Sequence, residues 1–519
     1  MPSHKRDSIK SNKGSEEKGK VLNYLEAINE ARTQSPVYKV WQCTVMVLPF
    51  LGTLFLLWYI KGASEDVVYS DYIRLINSYL PKTLAKESFM VPDILTRIPV
   101  TYLIRWFNVT FFSYSVDFDR VLGVIGVLIM MTSVSLYIRR MRLNVFSVLA
   151  LMAVGFSLNK WELLLNGSGY PHFLSYGLFF YNYYILERVF TGTKKIYDDV
   201  LLTVLPYIAL LVAGPYIVQY CVALISAALY MLLIKNRNVD RSRIPIYVIT
   251  TAIPVILFLW SHSMARYDYS GAAEVTLMEV LTNQIGFTVH FILNGFASLV
   301  LDGSCWESML GFGAIDYREI YLTGAIVVAA YLAALILFFR KGIYRKTVFP
   351  LVLMISGLSS HALVFLSRYI FLTEVYAWQS RYSLQYMPGV LGLIMVYGIL
   401  FTNWYEKYLV YKYKEKRLEP GSRKKRRSNP GVLSLVSLFF ALAIPVTFIA
   451  GTLVTNRVEI NNMPYRKIYF ESIREAALNA DDYTDDELNA IFEYNHGANK
   501  VRHAISVLQD NKLNVFSER

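Results

Sequence analysis

Three carboxylates stand close together in the stretch Glu65-Asp66-Val67-Val68-Tyr69-Ser70-Asp71. A carboxylate beside an incoming hydroxyl can take its proton, so Asp71, Asp66 and Glu65 are candidate catalytic bases. Arg74, Arg97 and Arg105 follow in the same first outer loop. Arg381 stands much later, in Gln379-Ser-Arg-Tyr382, with an aromatic neighbour in Tyr382. A guanidinium grips a phosphate through paired hydrogen bonds, which makes these arginines candidates for substrate binding. Glu162 and His172, in the run Asn159 to Phe173, are ionisable residues at the edge of apolar sequence and join the set. A base for an acceptor hydroxyl and a cation for a departing phosphate are the minimal parts for moving a sugar off a lipid phosphate. Each residue also fits a plainer role. Asp71 can cap a helix, Glu65 and Asp66 can be a solvated pair, and Arg381 can anchor to headgroups.

Other chemistries lack their signatures. No nucleotide-phosphate loop, paired-histidine metalloprotease helix or nucleophile elbow is present. The 7 histidines are dispersed, so no metal-ligand set is fixed, although the acidic stretch leaves room for a divalent cation as cofactor. Cys43, Cys221 and Cys305 lie far apart, which argues against a disulfide framework.

The elements that must position these residues follow from composition. The chain has 519 residues, 55% of them hydrophobic and only 18% charged, with net charge +13. Such a balance excludes a disordered chain and argues against an ordinary soluble enzyme. A hydrocarbon core of ~30 Å needs about 20 apolar residues in helical form, and about eleven stretches qualify. They fall near 41–60, 121–138, 143–158, 172–186, 200–213, 216–234, 244–261, 320–339, 348–367, 387–403 and 431–455. The expected fold class is all-α, a polytopic membrane helix bundle.

Lysine and arginine set the expected sidedness. Basic residues cluster in alternate loops, at Arg139–Arg142, Lys235–Arg243, Arg340–Lys346 and most densely across 404–430. These loops and the 1–40 arm are expected in the cytoplasm, with the carboxyl terminus outside. The positive charge is then an orientation signal, and nucleic acid is not an expected partner. No cleavable signal peptide is expected, because the first 40 residues are polar and basic. Reading 286–302 as a crossing would invert the rule for every later loop, so it is expected to be re-entrant or interfacial.

The expected organisation is a cytoplasmic arm at 1–40 and a transmembrane core at 41–403 with outer loops 61–120 and 262–319. A basic cytoplasmic loop at 404–430, a last span at 431–455 and an outer helical segment at 456–519 complete it. The first outer loop carries an amphipathic pattern. Tyr72, Leu75, Ile76, Tyr79 and Leu80 share one helical stripe, Ser70 is placed to cap it and Pro81 to stop it. A second helix is expected from Asp93 or from Pro99. In the carboxyl-terminal segment Val501, Ile505 and Leu508 stand at helical spacing.

With Glu65-Asp66 and Asp71 in a long first outer loop, the layout resembles the GT-C class of polytopic glycosyltransferases. The Gly214-Pro-Tyr turn, the late Gln-Ser-Arg-Tyr and the Asn511-Lys-Leu-Asn-Val-Phe tail resemble bacterial membrane proteins of this kind. The resemblance covers nearly the whole chain in layout, through short motifs. It implies a polyprenyl-phosphate-linked sugar as donor, a cell-wall or surface glycan as acceptor, and a bilayer site at the outer face of the cell membrane. It also implies Asp71 as base, with Asp66 as the second choice. The chain departs from the family in having no adjacent acidic pair at Asp71. Two other readings stand beside it: a transporter or lipid-linked oligosaccharide flippase, and a polysaccharide polymerase or ligase.

Overall fold

The computed structural model describes residues 35–235, 238–265, 272–417 and 432–517. The arm expected at 1–40, with its short helix near 20–32, lies almost wholly outside the described residues, as does 418–430 of the basic loop. Every regular element among the described residues is helical. Nine helical stretches there are long and apolar enough to cross a membrane.

The chain enters through α1 (Pro36–Ala63) and then makes a long excursion. That excursion holds α2 (Asp71–Tyr79) and α3 (Val100–Phe112). It returns into α4 (Val116–Met141), followed by α5 (Val145–Gly155) and α6 (Tyr170–Phe190). The middle of the bundle is α7 (Asp198–Ala213), α8 (Ile217–Leu233) and α9 (Ile244–His262). Then come α10 (Ile285–Ala297), α11 (Tyr317–Arg340), α12 (Phe349–Arg368) and α13 (Ser380–Arg417). The chain ends with α14 (Val432–Leu478), α15 (Asp485–Ile491) and α16 (Lys500–Asp510).

The sequence count of about eleven and the nine candidate helices differ at two places, each for a physical reason. Residues 198–233 register as one helical stretch, yet Gly214 takes φ +52 and interrupts it. Asn238, just past α8, donates to the Phe190 carbonyl, and Arg188 pairs with Asp198 at the start of α7. The two outer ends of 198–233 therefore lie together, and the chain reverses at Gly214. The second difference is α6, which has 21 residues but carries five tyrosines, Asn182, Glu187 and Arg188, so its mean hydropathy is low.

Close packing uses small residues, as membrane helices do. A methyl group on Gly126 of α4 would stand 2.4 Å from the Phe173 carbonyl carbon of α6. Gly357 of α12 and Gly389 of α13 are as tightly apposed, at 2.5 Å from a built Cβ to the facing Cα. The basic loops converge on one end of the bundle. There Glu187 accepts from the amides of Val348 and Phe349 and lies 3.8 Å from Arg140, while Lys346 donates to Asn403.

Two segments depart from the sequence boundaries. The helix 285–297 has 13 residues and so reaches only about 20 Å, short of a crossing. By contrast α14 runs unbroken for 47 residues, well past the span expected to end at 455. Its second half, from Asn456, buries Phe470, Ile473 and Ala477.

Candidate functional site

The end of the bundle away from the basic loops holds a cavity of about 470 Å³. Four parts of the fold wall it: the excursion with α2 and α3, the first turn of α4, the approach to α6, and Ala265 just past α9. Helix α3 shows how the sequence aims its residues. Tyr102, Arg105 and Asn108 recur every third position and are buried, whereas Leu103, Trp106, Phe107 and Phe111 on the opposite face are exposed. One stripe faces the site and the other faces the surroundings, as in a helix lying at a membrane surface.

Arg105 is 6% exposed and stacks on the Tyr79 ring, with 4.6 Å from guanidinium carbon to ring centroid. Tyr79 is held in turn by the Tyr102 hydroxyl at 2.8 Å. On the α4 side Asp119 is buried, and both its oxygens are engaged. Tyr72 donates to Oδ2 at 2.7 Å and Asn108 to Oδ1 at 3.1 Å. Burial, reinforced by Asp119, pushes the Tyr72 phenol well above its ordinary range, so it remains a donor. Burial does the same to Tyr114. Gly167 allows this contact, because a Cβ there would lie 2.5 Å from the Tyr72 hydroxyl and 2.9 Å from the Val116 carbonyl oxygen.

Four buried polar atoms on residues that line this cavity make no well-aligned hydrogen bond, Thr96 Oγ1, Arg105 Nη1, Tyr114 Oη and His172 Nδ1, although Arg105 and Tyr114 interact with each other. Buried polar groups in folded proteins are almost always paired, and each exception asks for a reason. Four of the exceptions among the described residues stand on residues that line this cavity. Arg105 Nη1 can only donate, and the two hydroxyls can donate or accept.

Of the residues singled out in the sequence, Asp71, Arg74, Arg97 and His172 line this cavity. Asp71 is the first residue of α2, with its carboxylate largely exposed and 3.8 Å from Arg74. Arg97 is tied to Asp93 at 2.8 Å. His172 packs edge-on against Tyr216 at 4.9 Å, and Gln385 donates to the Tyr216 hydroxyl at 3.2 Å. That seam leads to α13. There Arg381 pairs with Glu162 at 3.4 Å, and Tyr382 accepts from Arg368 at 2.5 Å. Arg381, Glu162 and Tyr382 thus lie next to the cavity rather than in its lining. The field of Asp71 reaches Glu162.

Asp66 and Glu65 are engaged elsewhere. The Asp66 carboxylate accepts from Ser115 Oγ at 2.8 Å and from the Val116 amide at 2.6 Å, closing the amino terminus of α4. Glu65 lies 3.3 Å from Lys467 and 3.7 Å from Arg474, both on α14. Among the described residues, no group of three or more His, Cys, Asp or Glu is placed to hold a metal. Both Asp119 oxygens are engaged, and Asp93 is paired with Arg97.

Thr96, Tyr114 and Asp119 were not singled out by sequence reasoning, and Arg105 was noted only as one of the arginines of the first outer loop. The signal for Arg105 was available, as a polar stripe within an otherwise aromatic helix. Asp119 carries no local signal, because its role comes from Tyr72, 47 positions earlier. No family model, curated protein or solved structure matches this chain. The functional reading therefore rests on geometry.

Proposed function

We propose that this multi-pass membrane protein is a glycosyltransferase that moves a sugar from a polyprenyl-phosphate donor to a surface or cell-wall glycan. The carrying observation is the cavity itself. It is lined by polar residues of α2, α3, α4 and the approach to α6, Arg105 among them with one nitrogen that makes no well-aligned hydrogen bond, and Asp71 offers a solvent-accessible carboxylate at the same wall. Tyrosines 72, 79, 114 and 170 are also among its lining residues.

In this reaction the acceptor hydroxyl oxygen attacks the anomeric carbon and forms the new glycosidic bond. The bond from that carbon to the phosphate oxygen breaks, and the phosphate leaves with the electron pair on its lipid. Asp71 takes the hydroxyl proton. Arg105 lies at the cavity wall, and Arg381 lies at the neighbouring seam. Both supply fixed positive charge where the departing phosphate becomes more negative. Attack from the side opposite the phosphate inverts the configuration. The eleven-span arrangement, with the 1–40 arm and basic loops inside and 456–519 outside, belongs to this reading. It puts the cavity at the outer face of the cell membrane, where a lipid-linked donor can enter from the bilayer.

The buried charged groups in the apolar helices have local structural partners. Glu187 accepts from two amides at the head of α12, Lys160 donates to the Ser157 carbonyl, and Glu459 pairs with Arg466. None marks a continuous path through the bundle, which ranks transport below transfer. A polymerase or ligase would share the chemistry and differ in product. Purified protein in nanodiscs, given a polyprenyl-phosphate sugar and a glycan acceptor, should yield a product heavier by one sugar. A ladder of products would favour polymerisation. Substrate movement across proteoliposomes without bond formation would displace the proposal.

A further inference from the structure

The excursion that carries the cavity residues leaves the bundle at Asp66–Val68 and returns at Ser113–Asp117. These two ends are drawn together as a neck, although Asp66 and Val116 are 50 positions apart. A third strand of chain reaches the neck from the far end of the protein. Asn514 is buried, takes φ +51, and makes contacts to both sides of the neck. Its side-chain oxygen accepts from the Val68 amide at 3.3 Å. Its amide nitrogen donates to the Tyr114 carbonyl at 3.0 Å and to Asp66 Oδ1 at 3.4 Å. Its own backbone N–H donates to the Ser113 carbonyl at 2.7 Å.

Other contacts extend the grip over α2. Ser70, immediately before Asp71, donates its backbone N–H to the Phe492 carbonyl at 2.8 Å. Asn77 donates to the Lys500 carbonyl at 3.0 Å and lies 2.6 Å from His503 Nδ1. Tyr114, whose carbonyl Asn514 holds, also presents its hydroxyl to the cavity. The carboxyl-terminal segment thus touches the excursion at its neck and along the helix that begins with Asp71.

We infer that Asn514 is a positioning residue, which clasps the neck shut and so fixes Asp71 and Tyr114 relative to the α4 wall. Asparagine suits the position twice over. It tolerates a left-handed backbone better than most residues, and its amide presents an acceptor and a donor at once. Aspartate would keep the shape and the acceptor but lose the donor, and would set a second carboxylate against Asp66. Two carboxylates at such a distance do not both ionise freely.

The test compares Asn514→Asp and Asn514→Ala in the full chain. Amide hydrogen exchange at 66–70 and 113–117 should speed up about tenfold or more in both variants. In Asn514→Asp the defect should shrink as pH falls, when the facing carboxylates share a proton, whereas in Asn514→Ala it should not. In the transfer assay kcat should fall in both variants with little change in KM, because ordering of the base is lost while the ligand walls remain. This kinetic arm rests on the function proposed above; the exchange arm does not, so an inactive wild type would count against that function alone. Unchanged exchange at the neck, or a pH response shared by Asn514→Asp and Asn514→Ala, would overturn the clasp.

Discussion

Replacing Asp71 by asparagine should separate activity from stability. The carboxylate is 60% exposed, and its cationic neighbour Arg74, at 3.8 Å, is 67% exposed. An ion pair so open to solvent is worth about 0–1 kcal/mol. The first-turn position on α2 adds a favourable charge–dipole term of about 0.3–1 kcal/mol, which asparagine gives up. The whole stability cost should therefore stay under about 2 kcal/mol. Loss of a general base lowers a rate by roughly 100- to 10,000-fold. Initial rates of sugar transfer in nanodiscs, read beside the unfolding midpoint of the same preparations, should show a large fall in kcat with a small fall in midpoint. Asp66→Asn should show the opposite balance. Its carboxylate holds the first amides of α4 and the Ser115 hydroxyl, so its loss falls mainly on the midpoint, by about 1–3 kcal/mol. Undiminished transfer by Asp71→Asn would refute the assignment of the base, and the double variant with Asp66→Asn would show whether either carboxylate takes part.

Three further outcomes are expected. Arg105→Met should lower kcat/KM roughly 10- to 150-fold through loss of a charged hydrogen bond to the ligand, with Arg105→Lys between it and wild type; equal kinetics for all three proteins would remove Arg105 from the site. Gly167→Ala should destabilise by about 1–3 kcal/mol and weaken transfer, because the new methyl meets the fixed Val116 carbonyl and pushes the Tyr72 hydroxyl off Asp119; an unchanged melting curve would contradict the packing. Burial pushes the Asp302 carboxyl up to about 7 from its ordinary 3.8. Between those values the native state keeps a proton that the unfolded chain releases, so this group lowers stability as pH rises through the window, by up to roughly 4 kcal/mol. Asp302→Asn should flatten that part of the stability–pH curve, and a slope identical to wild type would show that Asp302 does not cause it.

Local pattern carried much of this molecule, and contact across the chain carried the rest. The amphipathic stripe in the first excursion marks α2, where Tyr72 and Ile76 are buried as expected. Ser70 does stand at its N-cap, yet its side chain makes no cap there, because its backbone takes φ +51 rather than the extended geometry a cap uses. Val501, Ile505 and Leu508 face inward as their spacing foretells. What spacing cannot supply is which residue meets which across tens of positions. Asp66 reads as half of an acidic pair but serves the head of α4, and Glu65 reads as its twin but faces Lys467. The polar stripe of α3 is visible in the sequence, yet only the fold shows that Arg105 keeps one nitrogen without a well-aligned hydrogen bond beside the cavity.

Helix α14 has a mechanical consequence. Its 47 residues make a rod of about 70 Å, more than twice the thickness of the hydrocarbon core. Through Lys467 and Arg474 that rod holds Glu65, at the very start of the excursion, and through Phe470 it packs against Tyr69, two residues before Asp71. Pro445 and Pro464 lie inside it, and Pro464 stands just ahead of these contacts, so tilting of its apolar half would reach them through a proline bend. The start of the excursion, and with it the surroundings of Asp71, is thereby coupled to a helix whose other half is built for the bilayer.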